Sequence, residues 1–313
     1  MISGSSTFAQ LLSLIDRNLF RKSVEKHDAE KASKGFSCWE QFISMLFCQM
    51  AGAKSLREIC GGLSISGGKL KHLGISQAPS KSTLSYANAN RPWQLYEDLF
   101  HNLLEFVRSE ANKHGRKFRF KNKLYSLDAS VISLCAEIYD WAKYRTRKGA
   151  IKLHMLLDHD GYLPCWCHIT EGKVHDVNAA HLLDLPAGSI VAMDRGYFDY
   201  ELLDKWNEAG VYFVTRTKTN TKFDVEEVRD VSADNVWSDD EVALTGIPAK
   251  KITDNRFRVI NVYDEQNGRY IELLTNIMHL SAQTISQIYK ERWQIELFFK
   301  ALKQNLKVKS FVG

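Results

Sequence analysis

Between Lys121 and Arg216 the apolar segments come in an order that few architectures accommodate: three strand-like runs, then helix, strand, helix, strand. Leu124 to Leu134 is the first run, β-rich and apolar around Asp128. Ala150 to Leu157 is the second, and Asp160-Gly161 supplies a hairpin turn into the third, Tyr162 to Thr170. His175 to Leu185 follows as a helix, and Ser189 to Met193 as an apolar strand that ends at Asp194. Arg195-Gly196-Tyr197 turns the chain into a helix from Tyr200 to Ala209, and Val211 to Arg216 is a fifth strand. Elements in this sequence belong to one layered α/β domain.

The order is that of a ribonuclease-H-like α/β core, and its flanks differ from it in kind. Up to about residue 115 the chain reads as a helical domain, with amphipathic runs at Phe8–Ile15, Trp39–Met50 and Tyr96–Val107. Ser55 to Leu63, a turn with Gly67-Gly68 and Gly74, and Ser80 to Ala89 permit a helix-turn-helix whose second helix is capped by Ser80 or Ser82. Residues 116–313 read as the α/β domain, interrupted at about 217–280 by a β-rich insertion. Its strands are Val242–Leu244, Arg256–Tyr263 and Tyr270–Thr275, with an Asn267-Gly268 turn.

A chain of 313 residues with 44% hydrophobic and 25% charged residues is an ordinary globular protein. It has no apolar run near the ~20 residues that span a bilayer and no signal-peptide pattern, which predicts an intracellular protein. The six cysteines show no paired framework, and Cys165 and Cys167 are expected to share a buried strand face as reduced thiols. The formal charge is +5, and the basic residues concentrate between Lys113 and Lys152 and along the final helix. Such stripes suit nucleic acid as well as plain solvated faces.

Tyr289, Arg292, Glu296 and Lys303 lie in one stretch that reads as a single helix from Ser281 to Ser310. At ~100° per residue these four fall within an arc of roughly 60°, beside an apolar stripe of Ile288, Ile295, Phe299, Leu302 and Leu306. An acid inside an apolar strand, such as Asp128, is costly to bury unless a cation offsets it. Asp194 ends an apolar strand, the edge where α/β sheets place ligands, although a lone aspartate there also serves as a cap or turn former. Asp128, Asp194 and Glu296 together would suit Mg²⁺ or Mn²⁺, hard ions that take oxygen ligands. Two such ions about 3.5–4 Å apart support in-line phosphodiester displacement. Arg292 and Lys303 would then offset phosphate charge, and Tyr289 could donate to a phosphate oxygen.

Leu124-Tyr-Ser-Leu-Asp128, Val191-Ala-Met-Asp-Arg-Gly-Tyr197 and the Tyr289/Arg292/Glu296/Lys303 pattern resemble the DDE transposases of the insertion-sequence-4 family. The resemblance implies a DNA-binding helical domain, the core described above, and cut-and-paste movement of an insertion sequence. By it Asp128, Asp194 and Glu296 are the catalytic triad that binds two Mg²⁺ or Mn²⁺ ions, and Tyr289, Arg292 and Lys303 handle DNA phosphates. Arg145, Arg147 and Lys148 are read as further candidate phosphate contacts. The partners implied are double-stranded DNA, as element ends and target, and a second copy of the chain, in a bacterial, nucleoid-associated setting. Trp237 and Trp293 are candidates to hold a flipped base, but each reads first as core packing. Family members continue past the signature helix into an apolar segment, whereas this chain stops at Phe311-Val312-Gly313, which reads as a C-terminal truncation. A non-cutting DNA-binding remnant that represses transposition, or a structure-selective nuclease, are the alternatives. His175-Asp176 reads as a strand-to-helix turn with Asp176 near the N-cap, and His154 as packed or solvent-facing.

Overall fold

The structure is a computed structural model and describes residues 6–31, 33, 35–65, 70–111, 120–134, 143–144, 148–231, 233–254, 256–265 and 268–305. The chain divides into two compact units, Met1–Glu110 with Ala301–Gly313, and Ala111–Lys300.

Polar caps and apolar periodicity set out the helices of the first unit: α1 (Thr7–Ser13), α2 (Arg17–Lys26), α3 (Cys38–Ala51), α4 (Leu56–Ile65), α5 (Lys81–Asn90) and α6 (Gln94–Ala111). Their shared core holds Phe20, Ile43, Ile59, Leu63, Leu84 and Leu95. Helix α3 starts with a capping box: the Glu40 amide donates to Ser37 Oγ at 3.1 Å, and the Ser37 amide donates to Glu40 Oε2 at 2.8 Å. It ends at Gly52, whose φ of 62° is the left-handed conformation that glycine tolerates. Replacing Ser37 by Ala should cost about 1 kcal/mol, seen as a lower urea midpoint. Ser80 caps α5 by accepting from the Thr83 amide, one of the two caps expected.

The second unit is built on a ten-stranded sheet. Its strands are β1 (Leu124–Leu134), β2 (Lys143–Tyr144), β3 (Lys148–Asp158), β4 (Leu163–Glu171), β5 (Ile190–Met193), β6 (Tyr212–Arg216), β7 (Phe223–Val228), β8 (Val236–Leu244), β9 (Phe257–Asp264) and β10 (Arg269–Thr275). Their order is β2-β3-β1-β5-β6-β10-β9-β8-β7, with β4 also on β3. Strands β1, β3 and β4 are antiparallel neighbours, and β5 and β6 run parallel to β1. Alternation divides the side chains between two faces. Leu127, Val191, Met193 and Phe213 meet Leu202, Leu203 and Trp206 of α8 (Tyr200–Glu208) on one face. On the other, Leu124, Ile190, Ala192 and Val214 meet Ile285, Ile288 and Tyr289 of α9 (Ala282–Glu291). Met155 and Leu157 of β3 meet Ile295 and Phe299 of α10 (Trp293–Asn305).

Several expectations change. The single helix expected from Ser281 to Ser310 is two helices, broken at Arg292. There the Arg292 amide donates to the Tyr289 carbonyl and the Ile295 amide to the Arg292 carbonyl, each three residues back. The two helices follow different strands of a twisted sheet, and a straight helix cannot track both. Residues 306–310 lie outside the described residues. The helix expected over His175–Leu185 is only α7 (Asp176–Ala180), because the chain turns toward β5 before Pro186. The β-rich stretch after Arg216 joins the main sheet: β10 pairs with β6, and β9, β8 and β7 extend it. Strand β7 was not foreseen, and Asn267 lies outside the described residues. Cys165 and Cys167 are only half-buried, because β4 has a strand partner on one side alone. Trp237 and Trp293 are 75% and 55% exposed, so neither is core.

Candidate active site

Parallel pairing of β1 with β5 ends at Leu127 opposite Met193, so Asp128 and Asp194 are the next residues on two neighbouring strands. By alternation both follow Ser126 and Ala192 onto the face covered by α9 and α10. Helix α10 brings Glu296 to that face because Ile295 and Phe299, on either side of it, are buried against β3. Lys303 lies half-buried two turns further along α10.

Arg292 joins these groups. Its Nη1 lies 3.4 Å from Asp128 Oδ2, its Nη2 donates to Glu296 Oε1 at 2.6 Å, and its guanidinium lies 5.6 Å from the Tyr289 ring centre. Tyr289 is buried, which raises its phenol. Asp128 also accepts from the Ala129 amide at 2.8 Å, and Asp194 from the Arg195 amide at 2.8 Å. Burial pushes the Asp128 carboxyl up to about 6; the Ala129 amide and Arg292 oppose that rise, and the charges of Glu296 and Asp194 add to it. Three carboxylates thus stand on this face, two of them held by one guanidinium. Oxygen donors with excess negative charge are chemically suited to a hard divalent cation. As the side chains stand, however, no three His, Cys, Asp or Glu groups among the described residues are gathered closely enough to hold a metal.

A polar cluster around the buried His154, on the opposite face of the sheet, escaped sequence reading. Asp176, the first residue of α7, receives Lys152 Nζ at 3.0 Å and has His154 Nδ1 at 3.7 Å. His175, not Asp176, occupies the cap position, and its side chain makes no capping bond. His154 is fully buried and pairs through Nε2 with Thr170 Oγ1 at 2.9 Å. Tyr197 is buried too, and its phenol is raised by burial first and then by the charges of Asp176, Asp128 and Asp194. Lys152 and His154 alternate along β3, a signal visible in sequence, but their partners come from α7 and β4.

Burial lowers His154 from the ordinary 6.5 to about 4. The folded state thus holds the imidazole neutral, so its contribution is complete above pH ~6.5 and is lost as pH falls toward 4. Between pH 7 and 4.5 this group alone should remove about 2–3 kcal/mol of stability. Urea denaturation across that range should show a flatter acid limb for His154→Gln.

Arg145 and Arg147 lie outside the described residues, and Lys148 opens β3.

The family model described as "Transposase DDE domain" matches residues 119–311, and one for a domain of unknown function (DUF4372) matches residues 3–76. The putative transposase y4zB of Sinorhizobium fredii (strain NBRC 101917 / NGR234) is 30% identical over 269 residues, 82% of this chain and 71% of that protein. The probable transposase for insertion sequence element IS5377 of Geobacillus stearothermophilus is 31% identical over 69% of this chain and 57% of its own length. A cryo-EM structure of the piggyBac transposase synaptic complex with hairpin DNA covers 94% of this chain and 68% of that one, at 9% identity and a TM-score of 0.42. That likeness is too slight to carry an argument. The chain thus spans from 57% to 71% of these two relatives' length, and within that span it belongs to the transposase DDE domain family.

Proposed function

We propose that the protein binds the ends of an insertion sequence and catalyses metal-dependent DNA cleavage and strand transfer, as a transposase of insertion-sequence-4 type. The observation that carries this reading is the strand register that makes Asp128 and Asp194 adjacent on one face, with Asp128 joined through Arg292 to Glu296. The antiparallel β4-β3-β1 half and the parallel β5-β6 half support a ribonuclease-H-like core. In this reading Asp128, Asp194 and Glu296 hold Mg²⁺ or Mn²⁺, two ions in all. Bound there, the metal supplies activation of the attacking oxygen and charge stabilisation at the leaving oxygen.

The chain's own residues do the rest. Arg292 offers a planar fork to a phosphate and Lys303 a point charge. Tyr289, buried under Arg292, holds that guanidinium in place. Asp128 would act as a ligand in its ionised form, which burial disfavours. The helical unit docks the element end with α5, and Arg145, Arg147 and Lys148 extend the phosphate track. Double-stranded DNA, as end and as target, and a second copy of the chain complete the assembly.

Purified protein incubated with a duplex carrying its own element's terminal repeat should nick that end in Mg²⁺ or Mn²⁺. EDTA should stop the reaction while a mobility shift persists. Binding without cleavage under every metal condition would reduce the protein to a DNA-binding remnant.

A further inference from the structure

We infer that Arg292 is a displaceable counter-ion, holding the carboxylate site closed to metal until a DNA phosphate takes the guanidinium away. The inference rests on the proposed role of Asp128, Asp194 and Glu296 as metal ligands. It adds a second role for Arg292 and a reason for the order in which metal and DNA bind.

Each end of the guanidinium is committed to a different carboxylate: Nη1 to Asp128 at 3.4 Å and Nη2 to Glu296 at 2.6 Å. The side chain is only 13% exposed, so these contacts are shielded from bulk water. Arginine cannot shed its charge to make room for another cation. A metal ligated by Asp128 and Glu296 has to compete with Arg292 for the same oxygens. Opposing this, the one guanidinium reaches Asp128 and Glu296, while Asp194 lies beside Asp128 on the same sheet face.

The same side chain points to that ligand. Arg292 Nε is buried with no hydrogen-bond acceptor, a donor unused while both Nη groups are engaged. The residue sits at the junction of α9 and α10, where the helical bonds shift from four residues back to three while the backbone stays in the helical region. A phosphate oxygen pair would satisfy Nε and one Nη together, as guanidinium forks do. Releasing Asp128 and Glu296 would then raise metal affinity, and by reciprocity metal would tighten the grip on the phosphate. A nuclease built this way loads its metal where its DNA is, and stays poorly loaded elsewhere.

The test is Mn²⁺ binding to the whole protein without DNA, read by electron paramagnetic resonance. Arg292→Met should bind Mn²⁺ at least about ten-fold more tightly than wild type, and Arg292→Lys should stay nearer wild type. Equal or weaker binding by a folded Arg292→Met overturns the inference. Should Arg292→Met fail to fold, the unaltered protein decides the matter. A pre-cleaved end duplex should lower its Mn²⁺ dissociation constant, after subtraction of Mn²⁺ held by the duplex alone, and no change overturns the coupling. Asp194→Asn and Glu296→Gln are measured alongside. If both bind Mn²⁺ as wild type does, the carboxylate reading fails and the inference with it. If both lose binding while Arg292→Met gains nothing, the inference alone falls.

Discussion

Glu296→Gln should slow Mg²⁺-dependent cleavage of the element end by at least about a thousand-fold, roughly 4 kcal/mol of lost transition-state stabilisation. The change is close to isosteric, and glutamine keeps an oxygen that can accept from Arg292 Nη2, as Glu296 Oε1 does at 2.6 Å. Ile295 and Phe299, which seat this stretch of α10 against β3, are untouched. What disappears is one negative charge beside Asp128. A drop in rate with circular dichroism and end binding preserved therefore isolates the charge as the cause. Cleavage at the wild-type rate would remove Glu296 from the catalytic set, and the role proposed for Asp128 and Asp194 would need a new third partner.

The largest effect on folding is expected at Arg258, far from that chemistry in the sequence. Arg258 is 1% exposed and Asp239 3%. Its Nε and Nη2 donate to the two Asp239 oxygens at 2.6 and 2.5 Å, and Nη1 donates to the carbonyls of Ile277 and Leu280 at 3.0 and 2.7 Å. Arg258→Met strands a buried carboxylate and two carbonyls, at a cost of about 3–5 kcal/mol. Changing Asp239→Leu at the same time removes the stranded charge, so the double variant should recover most of the loss, short of what the two carbonyls contributed. Urea denaturation of the four proteins in the cycle measures this directly. Additive losses would mean that the pair is not coupled as its geometry implies.

What the sequence showed depended on which residues touch a core. Strands β1, β3, β4, β5 and β6 were legible within a residue or two because each sets an apolar face against a helix layer or a neighbouring strand. Asp128 stood out for the same reason, as the acid in an otherwise apolar run. Strand β7 was invisible: Phe223 is half-buried and the rest of the strand is exposed, so no face carries an apolar rhythm. The helix break at Arg292 was equally hidden. Tyr289-Lys-Glu-Arg-Trp293 contains no glycine or proline, and the break comes from two helices following different strands of the sheet. Trp237 misled because large aromatics are usually buried, whereas here its ring stands on the sheet surface against Tyr270 at 6.0 Å. The Lys152–Asp176–His154 cluster needed the third dimension, since two of its members sit on β3 and the third arrives from α7.

Among the described residues Glu296 follows all ten strands, while Asp128 lies on the first of them. Synthesis proceeds from the amino end, so a growing polypeptide acquires two acids early and the remaining one after the entire sheet has been translated. The segment leading into α9 is moreover tied to β9 through the Arg258 bonds to Ile277 and Leu280. Closure of so distant a pairing is slow and comes late in folding. A growing polypeptide therefore holds Asp128 and Asp194 long before the acid that faces them can be brought alongside.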